Sequence, residues 1–476
     1  MKILFVTSEA SPYVTSGGLG EVMGALPKAL KNTEEGIHCD VILPLYKGIS
    51  EEYKINMQKV CDISFDLSWR KTGASIYKIN DSNIDYYFIE NNYYCDRRDI
   101  YGEYDDGERF AFFSTAVIEF ILSSDNIPDI LHANDWQSAL SVIYLKTKYS
   151  GIEKLSKIKT LYTIHNIEYQ GKYDLKILYD VFGINEEYKP IVEYDGCINL
   201  MKGAIVCADA ITTVSNKYAE ELEYDYYAFG LSRIIQDSKN KMYGVINGID
   251  YDYYSPEVGG DIYSPYTRRA FKSGKAKNKR ELQLELGLEV NPSIPLAVMI
   301  TRLATQKGID LFLHIAGELL QENIQIAVLG SGDTNYENAL ENLNKYPNFK
   351  AIIKFDRTLS KKLYASGDMF LMPSKYEPCG LAQMIAMSYG TIPIARAVGG
   401  LYDTIVPYGN EGANGFLFEN YNAHELLYTV KLAMKVFEDK KEWASIVRQA
   451  IKSNFDWNNS ASGYISIYKK LLNSKE

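Results

Sequence analysis

One carboxylate, within residues 374–401, follows a predicted strand at a position typical of ligand-binding sites. The apolar run from Met369 to Met372 is typical of a buried strand. Glu377 follows in a turn, and the apolar residues after Leu381 recur at helical spacing. Glu377 is thus predicted at the carboxyl end of a strand, where open α/β sheets bind ligands. Because a carboxylate repels phosphate, we expect it to face hydroxyl groups or a developing positive charge.

Two cations, Arg302 and Lys307, lie between the end of another predicted strand and the start of a helix. The fork of the guanidinium and the point charge of the ammonium are both suited to binding a diphosphate. An exposed basic loop without a ligand explains the two charges equally well.

Glycines mark two more loops of this kind. Gly17 and Gly18 follow the first predicted strand, Ile3 to Val6, and precede a helix. Such a turn exposes backbone N–H groups that suit phosphate, although a tight turn without a ligand is the alternative. Gly399 and Gly400 indicate another close approach of the backbone, or else an ordinary loop.

Polar side chains follow two further strands. His132 and Asp135 come at the end of one, and His165 comes at the end of the next. The carboxyl ends of parallel strands meet at one edge of a sheet, so all three are expected at the ligand-binding edge. A structural role for the histidines is the alternative. The cysteines and histidines show no metal-ligand spacing, and no metal site is predicted.

Strands and helices that alternate along both halves of the chain must position these residues. The alternation predicts doubly wound parallel sheets, and it begins afresh after Pro295. A chain of 476 residues is also too long for one ordinary core. The predicted domains are residues 1–246 and 267–454, with a linker at 247–266 and a C-terminal helix at 455–476 whose packing the pattern leaves open.

Composition argues against several classes of protein. The net charge of −10 argues against a nucleic-acid partner. No apolar run approaches the length of a membrane span, and the N-terminus turns polar too soon for a secretory signal. Six cysteines without paired spacing suggest reduced thiols and a cytoplasmic location.

Several segments together resemble the ordered motifs of the bacterial glycogen synthase and plant starch synthase family. They span nearly the whole chain and include SEASPYVTSGGLGEV, HANDW, YTIHNIEYQG, NGID, TRLATQKGIDL and YEPCGLAQMIAMSYGTIPIARAVGGL. The resemblance implies a GT-B fold, in which two Rossmann-like domains face one another across a cleft that holds the active site. It also implies glucose transfer from ADP-glucose to the non-reducing 4-hydroxyl of an α-1,4-glucan, with retention of configuration and with no metal or cofactor.

The resemblance further implies roles for particular residues. Residues 1–246 would form the catalytic domain on the acceptor side, and residues 267–454 the nucleotide-sugar-binding domain. Arg302 and Lys307 match cations on the donor diphosphate. Glu377 and His165 match residues beside the donor glucose. Cations at one end and a carboxylate at the other would stabilise the charges that separate as the donor bond breaks. Further donor or nucleotide contacts are implied for Thr15, Gly17, Gly18, Asp135, Asn247, Cys379, Gly380, Leu381, Gly399 and Gly400.

The first loop departs from the family's pattern. The family usually has Lys-Thr-Gly-Gly-Leu, whereas Thr15 and Ser16 precede Gly17 here, so the usual lysine is absent. Loss of a buried, hydrogen-bonded cation would weaken diphosphate binding by about 1–3 kcal/mol. Two alternatives therefore stay open: a related retaining glycosyltransferase that uses UDP-glucose, and a weakly active homologue that binds nucleotide or glucan.

Overall fold

The computed structural model describes residues 1–97, 99–257 and 260–473. None of the helices in these ranges combines the length and the apolar composition that a membrane crossing requires. Within the same ranges, no group of three or more His, Cys, Asp or Glu side chains is arranged to hold a metal ion.

The chain forms two compact units. The first consists of Met1–Gly248 together with Trp457–Glu476, and the second consists of Ile249–Asp456. The chain therefore crosses to the second unit after Gly248 and returns after Asp456. Most of the predicted linker at 247–266 is accordingly part of the second unit rather than a separate segment.

The first unit is built on a nine-stranded sheet, with a separate three-stranded sheet. Its strands are β1 (Lys2–Val6), β2 (His38–Pro44), β3 (Gln58–Leu67), β4 (Arg70–Asp81), β5 (Ile84–Glu90), β6 (Ile130–Asn134), β7 (Lys159–Ile164), β8 (Lys172–Tyr173), β9 (Glu193–Tyr194), β10 (Cys197–Asn199), β11 (Ala210–Thr213) and β12 (Met242–Gly244). The large sheet has the order β12-β11-β7-β6-β1-β2-β5-β4-β3. Its neighbours are parallel except for the β3–β4 and β4–β5 pairs, which are antiparallel hairpins.

Helices connect the parallel strands of this unit. They are α1 (Gly18–Thr33), α2 (Glu51–Ile55), α3 (Asn92–Cys95), α4 (Asp106–Ser123), α5 (Asp135–Lys146), α6 (Glu153–Ser156), α7 (Lys189–Val192), α8 (Leu200–Cys207), α9 (Asn216–Glu221), α10 (Asp225–Ala228) and α11 (Ser232–Asp237). The apolar spacing of α1 explains its orientation, because Val22, Leu26 and Leu30 are all buried on one face.

The second unit has a six-stranded sheet in which every pair is parallel. Its strands are β13 (Leu296–Ile300), β14 (Gln325–Gly330), β15 (Phe349–Ile353), β16 (Met369–Met372), β17 (Ile392–Arg396) and β18 (Phe416–Phe418), in the order β15-β14-β13-β16-β17-β18. Its helices are α12 (Phe271–Leu286), α13 (Ile309–Leu319), α14 (Thr334–Asn342), α15 (Arg357–Ser366), α16 (Ala382–Ser388), α17 (Gly399–Thr404), α18 (Ala423–Glu438) and α19 (Lys440–Lys452). All of β16 is buried, as expected of a strand covered on both faces.

A buried lysine ties three helices of the second unit together. The ammonium of Lys275 on α12 donates to the Thr391 hydroxyl at 2.8 Å, to the Tyr389 carbonyl at 3.2 Å and to the Ala365 carbonyl at 3.3 Å. The two carbonyls belong to the last turns of α16 and α15, which lack intrahelical donors. Burial lowers the pKa of Lys275 to about 7.

The last helix, α20 (Trp457–Asn473), returns to the first unit and packs against α1. Its apolar face places Tyr464 and Tyr468 in the core of that unit. The Tyr468 hydroxyl lies 2.8 Å from Nδ1 of His132, and Ser460 donates to the Ile246 carbonyl at 2.6 Å. The C-terminal helix, whose packing the sequence pattern leaves open, is thus part of the core of the first unit.

Candidate active site

In the second unit, Glu377 is the buried centre of the loop that follows β16. Its side chain is only 5% exposed. Its Oε2 accepts a hydrogen bond from the Lys307 ammonium at 2.7 Å and another from the Ser374 hydroxyl at 3.0 Å. The family resemblance implies that this lysine contacts the donor diphosphate and that this carboxylate lies beside the donor glucose. In the structure the two side chains are in direct contact, because the loops after β13 and β16 follow adjacent parallel strands.

The loop after β13 presents the second predicted cation. Arg302 is exposed, and its Nη2 donates to the Gln306 side chain at 2.9 Å. The Gln306 carbonyl in turn accepts from the Lys375 amide at 2.8 Å, which fastens this loop to the one that carries Glu377. The structure therefore brings Arg302, Lys307 and Glu377 together at the carboxyl edge of the sheet.

Gly399 and Gly400 lie against the backbone of the turn that carries Glu377. The amide of Gly400 donates to the Glu377 carbonyl at 3.1 Å. A Cβ on Gly399 would lie 2.0 Å from that carbonyl oxygen, and one on Gly400 would lie 1.9 Å from the Cys379 carbonyl oxygen. Gly399 also has a φ of +43°, which favours glycine. These glycines begin α17 rather than lying in an ordinary loop.

Cys379, Gly380 and Leu381 complete the turn into α16. The Cys379 side chain is buried, and Leu381 is the N-cap of the helix. Gly380 has a φ of +71°, and a Cβ there would lie 2.5 Å from the Gln383 side chain. The turn is thus fixed by backbone geometry that few other residues could adopt.

In the first unit, the glycine-rich loop already holds an anion. The buried Glu9 carboxylate accepts hydrogen bonds from the Ser16 amide, from the Ser16 hydroxyl at 2.7 Å and from the Gly17 amide at 3.3 Å. The Tyr101 hydroxyl also donates to it. The predicted phosphate cradle is therefore partly occupied by a side chain of the same loop. The exposed Gly18 begins α1, where its amide has no intrahelical acceptor.

Thr15 packs against the start of α1. A Cβ on Gly20 would lie 2.8 Å from both Cγ2 and Oγ1 of Thr15. The half-buried threonine thus fills the space that the glycine leaves open.

Asp135 and His165 meet at the ends of β6 and β7. Asp135 has a φ of +55°, and its Oδ1 accepts from the His165 amide at 2.8 Å. The His165 ring places Nε2 3.0 Å from Oδ1 of Asn134. Burial raises the pKa of Asp135 to about 7 and lowers the pKa of His165 to about 3. His165 is therefore neutral at physiological pH.

The prediction for His132 is wrong. This residue lies inside β6, paired in register with Phe5 and Leu161, and it is fully buried. Its Nε2 lies 2.6 Å from the Thr163 hydroxyl, and Tyr468 partners its other nitrogen. Its ring faces α20, where it lies near Tyr464 and Tyr468, so His132 is in the core of the unit rather than at the ligand-binding edge.

Asn247 lies just beyond β12 at the same edge. It is 5% exposed, and its Oδ1 has no hydrogen-bond partner among the described residues. Buried amide oxygens are usually hydrogen-bonded, so this one can accept a hydrogen bond from a bound molecule.

Two family models match most of the chain. The starch synthase catalytic domain matches residues 2–237, and the group 1 glycosyl transferases match residues 288–452. The glycogen synthase of Clostridium novyi (strain NT) is 43% identical over 99% of both chains. The chain belongs to the glycogen synthase family. The glycogen synthase of Oceanobacillus iheyensis is likewise 43% identical over 98% of both chains.

Solved structures agree with this family. The catalytic domain of starch synthase IV from Arabidopsis thaliana, bound to ADP and acarbose, is 29% identical and superposes with a TM-score of 0.91 over 99% of both chains. The sucrose-phosphate synthase from Thermosynechococcus elongatus, at 17% identity and a TM-score of 0.64, shares the fold alone. The predicted GT-B fold class, with two Rossmann-like units, is confirmed, and this glycogen synthase family member is a glycosyltransferase.

The sequence patterns did not identify the residues that hold the predicted site residues in place. Glu9 belongs to none of the predicted site positions, and Tyr101, which donates to it, lies far from it in the chain. Ser374 supports Glu377, and Asn134 orients His165. The available signal was the position of Glu9, three residues after the apolar strand β1, because a carboxylate buried there needs hydrogen-bond donors.

Proposed function

We propose that the protein transfers glucose from ADP-glucose to the non-reducing 4-hydroxyl of an α-1,4-glucan, with retention of the anomeric configuration. The observation that carries this proposal is the full-length similarity to a starch synthase whose solved structure is bound to ADP and acarbose. Family membership supports the more general part of this proposal, namely that the donor is a nucleotide sugar and the acceptor is a glucan.

We assign the donor diphosphate to the loop after β13. Arg302 is exposed and offers a forked set of donors, while Lys307 is close by at the end of the same loop. Negative charge grows on the departing phosphates as the donor bond breaks, and cations already in place stabilise it without reorganisation. Lys307 is paired with Glu377 at 2.7 Å, which fixes the position of its ammonium group.

Glu377 is assigned to the donor glucose, near which positive charge develops on the ring. Lys307 and Ser374 both bond its Oε2. Its own carbonyl is fixed by the Gly400 amide. Cys379, Gly380, Leu381 and Gly399 are assigned to backbone contacts with the donor, because the tight turns around them bring main chain to this edge.

His165 is assigned to the same glucose. Because its pKa is lowered to about 3, it can share a hydrogen bond with a sugar hydroxyl without placing a positive charge beside a developing cation. Asp135 holds the His165 amide, and Asn247 offers its unpartnered oxygen. Thr15, Gly17 and Gly18 are also assigned to contacts with the sugar-nucleotide donor. Among them, the Gly18 amide is available to donate a hydrogen bond to it.

Donor choice is tested by incubating the purified protein and glycogen with radiolabelled ADP-glucose or UDP-glucose. We expect label in the polymer mainly from ADP-glucose, and label that an α-1,4-specific hydrolase releases. A preference for UDP-glucose would support the alternative donor. Absence of transfer from either, with ADP binding intact by calorimetry, would support the weakly active homologue.

Lys307→Met tests the site itself, with Lys431→Met as the control. Lys431 forms exposed ion pairs with Glu318 and Glu322 on another face of the second unit. We expect kcat/KM for the donor to fall by about 10²–10³ in the first variant, as for loss of a preformed charge contact. An equal effect of the two substitutions would contradict the assignment.

A further inference from the structure

We propose that the first unit carries a second binding surface for the glucan polymer, built on the turn between β3 and β4. The proposal rests on the proposed function, since it takes the acceptor polymer as the ligand. This hairpin surface consists of Trp69, Arg70, Tyr179 and Asp180, extended by Tyr93.

Trp69 is an aromatic platform in an unusual position. Its side chain is 65% exposed, although the other three tryptophans, Trp136, Trp443 and Trp457, are buried. An exposed indole is normally free to change rotamer. Here the ring is fixed, because its Nε1 donates to the Asp180 carboxylate and the Arg70 guanidinium lies 4.6 Å from the ring centroid. One face is thus backed by protein, and the exposed area belongs to the remainder of the ring.

The polar groups of the surface are equally fixed. Arg70 donates to the Asp180 carbonyl at 2.7 Å and to its carboxylate at 3.3 Å. The Ser68 hydroxyl donates to the Tyr179 carbonyl at 2.6 Å. The hairpin turn is therefore attached to residues more than a hundred positions away. Tyr179, which is 59% exposed, adds a second aromatic side chain directly beside Asp180 in the chain.

A third aromatic side chain is linked to the first two through Arg70. The Nη2 atom of Arg70 lies 3.6 Å from the Glu108 carboxylate, which accepts a hydrogen bond from the Tyr94 hydroxyl at 2.7 Å. The Tyr94 ring supports Tyr93 in an edge-on contact with centroids 4.9 Å apart. Tyr93 is 59% exposed. Three exposed aromatic side chains thus surround one fixed network of charges.

This combination matches the chemistry of a neutral sugar chain. The C–H face of a pyranose ring packs on an aromatic face, and its hydroxyls bond to oriented carboxylate and guanidinium groups. Arg70 is paired with Asp180 and Glu108, so the surface offers little net charge to attract an ionic polymer.

The position of the turn suits a long acceptor. In register, Ser75 of β4 pairs with Glu90, the last residue of β5, so residues 68–70 project beyond the carboxyl end of β5. This is the edge of the sheet that carries Asp135 and His165. Four strand spacings separate β6 from β4 in the sheet order, which is roughly 19 Å. A polymer can reach both places at once, whereas a short oligosaccharide cannot.

Attachment at a second place raises the effective concentration of polymer ends at the site. We therefore compare Trp69→Ala, Trp69→Phe and the control Tyr428→Ala in the full chain. Tyr428 is 70% exposed on α18 of the second unit. Mobility is measured in native gels that contain glycogen, and kinetics are measured with glycogen and with maltotriose as acceptors.

For Trp69→Ala we expect weaker retardation by glycogen and a KM for glycogen raised on the order of tenfold. Its kcat and its kinetics with maltotriose should not change, Trp69→Phe should be intermediate, and Tyr428→Ala should match the wild type. Equal retardation of Trp69→Ala and wild type would overturn the proposal, as would equal losses with both acceptors. If the wild type transfers glucose to no acceptor, the proposed function fails, and the gel mobilities still decide whether the surface binds glucan.

Discussion

Glu9 shows how a single buried carboxylate can define a loop that was expected to hold phosphate. It accepts from the amides of Ser16 and Gly17, and Tyr101 fixes its other side. A diphosphate placed on the same amides would meet a negative charge. Phosphate contact in this loop is therefore assigned to the Gly18 amide at the start of α1, rather than to the amides of Ser16 and Gly17.

Glu9→Gln should lower kcat/KM for the donor about tenfold or more, since charge-assisted hydrogen bonds that hold the loop are lost. Asp209→Asn is a matched control. Asp209 accepts from the Thr160 amide at 2.7 Å and from the Thr160 hydroxyl at 2.8 Å at the amino ends of the strands. Both variants should lose comparable stability in thermal unfolding. Unchanged transfer by Glu9→Gln would contradict a positioning role.

Side-chain type and spacing were enough to single out Lys307, Glu377 and the glycine pair at 399–400. They were not enough to show that Lys307 and Glu377 touch, because that contact depends on two strands meeting in the sheet. His132 was misplaced for a related reason. Its position near the end of a strand did not show that its side chain lies on the face of the sheet that α20 covers.

At the scale of elements, α17 can start only where it does because glycine begins it. Gly399→Ala should abolish most transfer, since a Cβ at 2.0 Å from the Glu377 carbonyl must displace that residue or the helix. The positive φ adds strain. Activity and urea denaturation are measured together.

Gly317→Ala is the control for this substitution. Gly317 lies within α13, and a Cβ there would meet no atom within 4 Å. The control should keep full activity and gain about 0.5–1 kcal/mol of stability from helix propensity. Full activity in Gly399→Ala would show that the turn around Glu377 is not critical.

The lysine that joins α12 to α15 and α16 predicts a pH dependence. The pKa of Lys275 is about 7 in the folded protein, against an ordinary value near 10.5. Between these values the unfolded chain holds a proton that the folded protein lacks, so stability rises with pH. Lys275→Met should reduce that rise by up to about 1.4 kcal/mol per pH unit between pH 7 and 8.5. Parallel stability curves for the variant and wild type would contradict the buried titration.

Alternation of strands and helices predicted the parallel strands of both sheets, because each βα unit carries its own local signal. Strand order could not be predicted, since it is set by crossovers that leave no trace in the local pattern. The hydrophobic face of α20 indicated a packed helix in the same way, but an apolar face alone does not identify the element against which it packs.

For the whole molecule, α20 is a part of the first unit's core. Tyr468→Phe removes the hydroxyl that lies 2.8 Å from the buried ring of His132. Leaving that nitrogen without a partner should cost about 1–3 kcal/mol. Hydrogen exchange should show the loss in β6 and β7 but not in β13 to β18, and Tyr428→Phe should show none. Equal protection in Tyr468→Phe and wild type would contradict the contact's importance.

The return of α20 also sets an order of events at the ribosome. The second unit, Ile249–Asp456, is contiguous and can close its core as soon as it has been translated. The first unit begins earlier but lacks Tyr464 and Tyr468 until α20 has been made. At roughly 5–20 residues per second, translation of the intervening segment takes about 10 to 40 s. For that time the apolar surface that α20 covers in the folded protein lacks its partner helix.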